Sequence, residues 1–247
     1  MRGKDVQLLP PTSEVSLTAS PKPTPAYAVL PSGAKRGMVI IHEIFGRQPE
    51  IDLVAERFAD AGYAAIAPDL FHGGRFGCIR QVMGALKTGA RVPAVHKALW
   101  ARDWLCTHAG LEPQQIGIIG FCFGGGFALL VGNEFAAVST NYGEIPATEV
   151  MRGIGPVIAC YGGRDKLFRD KGKVLTERLQ PLGRTPEVHV YPNAGHAFLT
   201  DGNHPIAAFL AKPFFEVRYD AATAEDAWKK IMAFFEKNLP TTVAAKN

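Results

Sequence analysis

The group best placed to do chemistry is a single cysteine set between glycines, in Gly120-Phe-Cys122-Phe-Gly124. It follows a short apolar run, Ile116 to Ile119, and precedes another, Phe127-Ala-Leu-Leu-Val131. A Val/Ile-rich run bounded by turn residues reads as a buried parallel strand. Strand, sharp glycine turn and helix then put Cys122 at the tip of a nucleophile elbow, with cysteine where serine is more usual. The flanking glycines are needed because the turn is strained and backbone passes too close for a Cβ. A helix N-terminus at this point favours a thiolate or an oxyanion. A phosphate loop is excluded because no Gly-Lys-Ser/Thr follows, and the glycines do not fit a dinucleotide fingerprint.

A thiol nucleophile needs a base, and the base needs an orienting carboxylate. His196, in Asn193-Ala-Gly-His-Ala-Phe198, and Asp165, in Gly162-Gly-Arg-Asp165, each lie just beyond a predicted strand. The order nucleophile, acid, histidine, at intervals of 43 and 31 residues, is that of the α/β-hydrolase arrangement. Taken singly, Cys122 could be a buried core thiol, Asp165 a turn former and His196 a loop histidine; jointly they predict a triad. Glu43, in His42-Glu-Ile-Phe-Gly46, leaves the first buried strand and would face the elbow. The backbone N–H groups of Ile44 and Phe123 would form an oxyanion hole there. His42-Glu43 is not a zinc helix motif, since position 46 is glycine and the segment leaves a strand.

These residues must be carried by a scaffold, and the apolar periodicity supplies one. Strands are predicted at 37–42, 63–67, 116–119, 135–142, 156–161 and 187–191. Helices are predicted around 51–61, 93–108, 127–131, 171–179 and 221–239. Alternation of this kind predicts an α/β fold, a mostly parallel sheet with helices on both faces, in a single domain over 1–247. Residues 1–35 read as an extension with edge strands near Val15-Ser-Leu17 and Ala26-Tyr-Ala-Val-Leu30. Residues 70–91, rich in glycine, read as irregular.

Composition narrows the function. The 247 residues are 47% hydrophobic and 20% charged, as in soluble globular proteins. Net charge is +4 with basic residues scattered, which argues against nucleic acid and membrane surfaces and leaves a mild bias toward anionic small molecules. No apolar signal core or membrane-spanning run is present, so reduced thiols in a cytoplasmic protein are expected. Cys78, Cys106 and Cys160 read as inert, with Cys78 the more exposed, and the four cysteines lack metal-ligand spacing. No metal or cofactor is predicted, and oligomeric state is not readable. Two rivals from other classes are a thiol redox sensor using Cys122, weakened by the absence of a resolving cysteine nearby, and a non-catalytic binding protein on the same fold.

Together, Gly120-Phe-Cys-Phe-Gly-Gly125, Glu43-Ile-Phe-Gly46, Gly163-Arg-Asp165 and Gly195-His-Ala-Phe198 resemble the dienelactone hydrolase (carboxymethylenebutenolidase) family, from about Ala26 to Leu239. The resemblance implies an α/β-hydrolase fold, a Cys122–Asp165–His196 triad, oxyanion donors Ile44 and Phe123, and a small-molecule ester or lactone as substrate. It also implies that the cysteine rests as a thiol near Glu43 and swings toward histidine when substrate binds. That agrees with physics, since a nearby carboxylate opposes thiolate formation. The dienelactone-cleaving members bind the substrate carboxylate with two arginines, one of them four residues after the histidine. Here that position is Thr200, while Arg75, Arg80 and Arg91 are candidates for the other. Tyr142 and Phe198 are candidates for lining the pocket or for the core. His42 and His72 are weaker candidates for touching the site.

Overall fold

The computed structural model describes residues 2–10, 23–200 and 219–242. Eight strands form one sheet: β1 Lys4–Leu8, β2 Thr24–Val29, β3 Arg36–Ile41, β4 Tyr63–Pro68, β5 Ile116–Phe121, β6 Val138–Asn141, β7 Val157–Gly162 and β8 Glu187–Tyr191. Their spatial order is β1-β2-β4-β3-β5-β6-β7-β8. The β1–β2 and β2–β4 pairs are antiparallel and every later pair is parallel. The helices are α1 Pro49–Asp60, α2 Arg75–Thr88, α3 Pro93–Ala109, α4 Phe123–Leu130, α5 Lys171–Leu179 and α6 Ala221–Asn238.

Both faces of the sheet are covered, and the register shows how. Gly37 and Met38 are adjacent on β3 and so point to opposite faces. The Gly37 side meets Leu105 of α3, whereas Gly117, paired with Met38, meets Phe235 of α6. On the α6 face, Phe58 of α1 packs edge-on against Trp228 and Phe235. Phe58 and Phe235 are fully buried, each contributing roughly 2–3 kcal/mol of transfer free energy. Strands β4, β5 and β7 are buried at every position, which is why they read as unbroken apolar runs.

Far from the carboxyl ends, polar clamps close the structure. The Arg36 guanidinium donates to the carbonyls of Glu236 and Leu239, capping the C-terminal turn of α6. Gln115 donates to the carbonyls of Lys35 and Thr241. These bonds tie β3, β5 and α6 together at the end opposite the active-site loops.

The structure corrects one reading. Residues 75–88 are not irregular but form α2. Lys4–Leu8 forms an edge strand, and the stretch at Val15–Leu17 lies outside the described residues. The strand near Ala26 is present as β2.

Candidate active site

Five chain segments deliver their side chains at the carboxyl ends of β3, β5, β6, β7 and β8, where ligands gather in open α/β sheets. Cys122 joins β5 to α4 with φ 53° and ψ −115°, a positive-φ conformation costing a β-carbon residue about 1–3 kcal/mol. The turn is held by Cys122 N–H donating to Asn141 O (2.9 Å) and Gly125 N–H donating to Cys122 O (3.0 Å). Its tightness explains the two flanking glycines. A Cβ on Gly120 would sit 1.9 Å from the Gly124 carbonyl, and one on Gly124 would sit 2.4 Å from the Ile41 carbonyl.

Asp165 and His196 are brought together across 31 residues of chain. The β7 and β8 exit loops are laced by Gly163 N–H to Tyr191 O (2.8 Å) and Arg164 N–H to Ala194 O (2.9 Å). Asp165 is fully buried; its Oδ1 accepts from the N–H groups of Leu167 and Phe168, and its Oδ2 lies 2.5 Å from His196 Nδ1. That bond fixes the ring so that Nε2 is the nitrogen left to act as a base. Burial alone would lower the His196 pKa. The charge of Cys122, the Asp165 hydrogen bond and a side-chain hydrogen bond to Cys122 outweigh it, and the imidazole is pushed up to about 10. The rings of Tyr142 and Phe168 flank the imidazole at 5.0 and 5.2 Å.

Phe123 is the first residue of α4, so its N–H has no acceptor within the helix. Ile44 is in the turn that follows Glu43, closed by Gly46 N–H to Glu43 O (3.1 Å). The two residues expected to supply oxyanion N–H groups thus lie just beyond neighbouring strand ends, β3 and β5, which are hydrogen-bonded to each other.

Glu43 Oε1 accepts from Thr200 Oγ1 (3.1 Å) and from Tyr142 Oη (3.3 Å). Burial raises its pKa, opposed by the nearby His196 and the two hydroxyls. Thr200 is therefore part of the site, and Tyr142, fully buried, is both core and site. Spacing from His196 drew attention to Thr200, but nothing in the sequence linked either hydroxyl to Glu43.

The remaining candidates separate clearly. Arg75 donates to the Phe45 carbonyl (2.9 Å) and lies over the Phe71 ring, next to the Glu43 turn. Arg91 instead pairs with Glu134, and Arg80 is on the exposed side of α2. Phe198 packs against Tyr142 in the core. His72 is exposed and offers its backbone carbonyl to Lys97, while His42 is fully buried beneath the site. Cys160 is buried, its thiol pushed up to about 12 by desolvation, and burial also raises Cys78 and Cys106. Cys78 is half-buried rather than exposed.

The strand order and the strand–elbow–helix unit are those of the α/β hydrolases. A dienelactone hydrolase-like promiscuous phosphotriesterase from metagenomic libraries shares this fold at a TM-score of 0.76, with 22% identity, over 97% of this chain and 100% of that one. Within that class the chain belongs to the dienelactone hydrolase family, whose profile matches residues 24–239. A carboxymethylenebutenolidase of Rhodococcus opacus is 28% identical over 240 residues, covering 90% of this chain and 88% of that protein. Protein usf of Aquifex pyrophilus is 26% identical over 229 residues, covering 86% and 93%. The protein is a dienelactone hydrolase-like hydrolase. Among the described residues, no helix is long and apolar enough to cross a membrane.

Proposed function

We propose that the protein hydrolyses activated esters or lactones with Cys122 as nucleophile, His196 as base and Asp165 as its orienting carboxylate. The observation that carries this reading is the 2.5 Å Asp165–His196 bond, with Cys122 acting on the same ring from a strained elbow. The substrate carbonyl docks with its oxygen toward the N–H groups of Ile44 and Phe123. Each such donor lowers the barrier by about 3–4 kcal/mol in acyl-transfer enzymes. The thiol proton passes to His196 Nε2, the thiolate attacks, and the tetrahedral intermediate expels the leaving alkoxide or enolate as His196 returns the proton. Water, deprotonated by His196, then cleaves the thioester and regenerates the thiol.

Because a thiolate is itself a good leaving group, an enol or aryl ester partitions forward and a plain alkyl ester partitions back. Enol esters and lactones are accordingly the substrate class, and a small neutral or anionic ester is the partner. The need for a reduced thiol fits a cytoplasmic location. The test compares initial rates on p-nitrophenyl acetate and a dienelactone for wild type and Cys122→Ala. The expected result is loss of both activities, by about 10⁴-fold or more. Wild-type rates in Cys122→Ala, or efficient turnover of simple alkyl esters, would overturn the reading.

A further inference from the structure

Helix α2 presents a stripe to solvent that the proposed chemistry does not use. Arg80, Met83 and Lys87 follow Phe76 at intervals of four, seven and eleven residues. On a helix those four side chains leave the axis within about 60° of one another. All four residues are exposed, Phe76 to 86%. Val82, Ala85 and Leu86 are buried on the other side, where α2 packs against α3 and α4. Between Asp69 and Asp103 the chain has basic residues but no acidic one. Arg75 is spent on the Phe45 carbonyl, Lys97 on the carbonyls of Leu70 and His72, and Arg91 and Arg102 on Glu134. Arg80 and Lys87, the two basic residues on the stripe, have no acidic partner among the described residues.

We propose that this stripe docks the protein on an anionic lipid surface. Phe76 and Met83 enter the boundary of the acyl layer, and Arg80 and Lys87 sit at the level of the phosphates. Read along the chain, the scattered basic residues argue against a membrane surface. The helix overrules that reading by gathering two of them beside two large apolar side chains.

Charge complementarity selects this occupant. A second copy pairing α2 with α2 would set Arg80 and Lys87 against like charges, because α2 contains no acidic residue to meet them. A phenyl ring this far out of its own protein suits a deformable layer, and the aliphatic stems of Arg80 and Lys87 let their charged ends reach phosphate beside it. The stripe also adjoins the candidate site. Arg75, which opens α2, holds the Phe45 carbonyl at 2.9 Å, and Ile44 and Phe45 in that turn are themselves exposed apolar residues. A lipid surface covering Phe76 would therefore lie near the turn that follows Glu43.

The experiment is co-sedimentation of the full chain with vesicles of equal parts phosphatidylglycerol and phosphatidylcholine, and with vesicles of phosphatidylcholine alone, at about 0.1 M salt. Wild type is compared with Phe76→Ser and with the double variant Arg80→Glu, Lys87→Glu. The control is the double variant Lys229→Glu, Lys237→Glu, which makes the same change of charge on exposed positions of α6, across the sheet from α3. Circular dichroism first shows that each is folded. Wild type should bind the anionic vesicles only, and release them as salt rises to about 0.5 M. The α2 charge variant should bind at least about 25-fold more weakly, about five-fold for each charge removed. Phe76→Ser should bind about ten-fold more weakly, and the α6 variant within about three-fold of wild type. No binding to anionic vesicles, equal binding to phosphatidylcholine alone, wild-type binding by either α2 variant, or an equal loss in the α6 variant would each overturn the proposal. So would a concentration-dependent dimer that Phe76→Ser abolishes in the absence of lipid binding, which would assign the stripe to a protein contact. Vesicle binding does not require Cys122, so the proposed hydrolysis is decided separately.

Discussion

His42 shows how a residue next to the site can be structural and still set a pH limit. Its ring is fully buried, with Nδ1 donating to the Glu43 carbonyl (2.8 Å) and Nε2 accepting from Leu70 N–H (3.1 Å). Those two bonds require the neutral tautomer with its hydrogen on Nδ1, and they staple the exit of β3 to that of β4. Burial pulls its pKa down to about 4, against smaller raising effects of the Glu43 carbonyl and Asp69; Lys97 and Arg75 lower it further. In the unfolded chain a histidine titrates near about 6.5. Between those values the unfolded state binds a proton that the folded state refuses, so stability falls as pH drops through this window. The contribution is fully present above the unfolded value and levels off below the folded one. Urea midpoints measured from pH 7 to pH 4 should therefore fall more steeply for wild type than for His42→Asn, which does not titrate. Parallel curves would show that His42 is not buried as a neutral ring.

At the scale of elements, α2 is the informative case, because it is the one helix among the described residues that the apolar pattern hides. Only Val82, Ala85 and Leu86 are buried along its length, while Phe76 is 86% exposed and Met83 also faces solvent. The large apolar residues thus mark the wrong face, and Gly77 and Gly84 lower helix propensity in the interior. Neither glycine is required: an added Cβ meets nothing within 4 Å at either, and neither has a positive φ. Gly84→Ala should stabilise the protein by about 0.5–1 kcal/mol, seen as a higher urea midpoint with an unchanged slope. A lower midpoint would mean that α2 is not helical there. The same reasoning explains what else was hard to read. The edge strand β1 has four of five residues outside the core, so it has no buried run to announce it. Central strands and the elbow were legible for the opposite reason: full burial forces unbroken apolar runs, and close backbone approach forces glycine at 120 and 124. The hydroxyls on Glu43 had no such signature, since a threonine and a tyrosine meeting across 58 residues of chain leave no spacing pattern.

Across the whole molecule, the candidate site is assembled from positions 43 to 200, supplied by five strand ends of one sheet. The non-glycine residues with positive φ among the described residues are Cys122, Tyr142 and Ala197, and all three stand at these strand ends. Each such conformation costs about 1–3 kcal/mol and persists only while neighbouring backbone holds it. Cys122 is held by Asn141 at the end of β6, and Tyr142 by Cys160 within β7 (Tyr142 N–H to Cys160 O, 2.8 Å). The elbow is thus braced in series by the parallel strands beside it, and the sheet in turn is closed by α6 through Arg36 and Trp228. Strain stored this way is released only when the strands part, so the site should not melt before the sheet. In a urea titration, loss of p-nitrophenyl acetate hydrolysis and loss of far-UV circular dichroism should superimpose in one transition. Activity lost at clearly lower urea, with the sheet signal intact, would mean that the strand-end loops form a separately unfolding unit. The bracing of Cys122 through β6 and β7 would then not be what holds the elbow in its strained conformation.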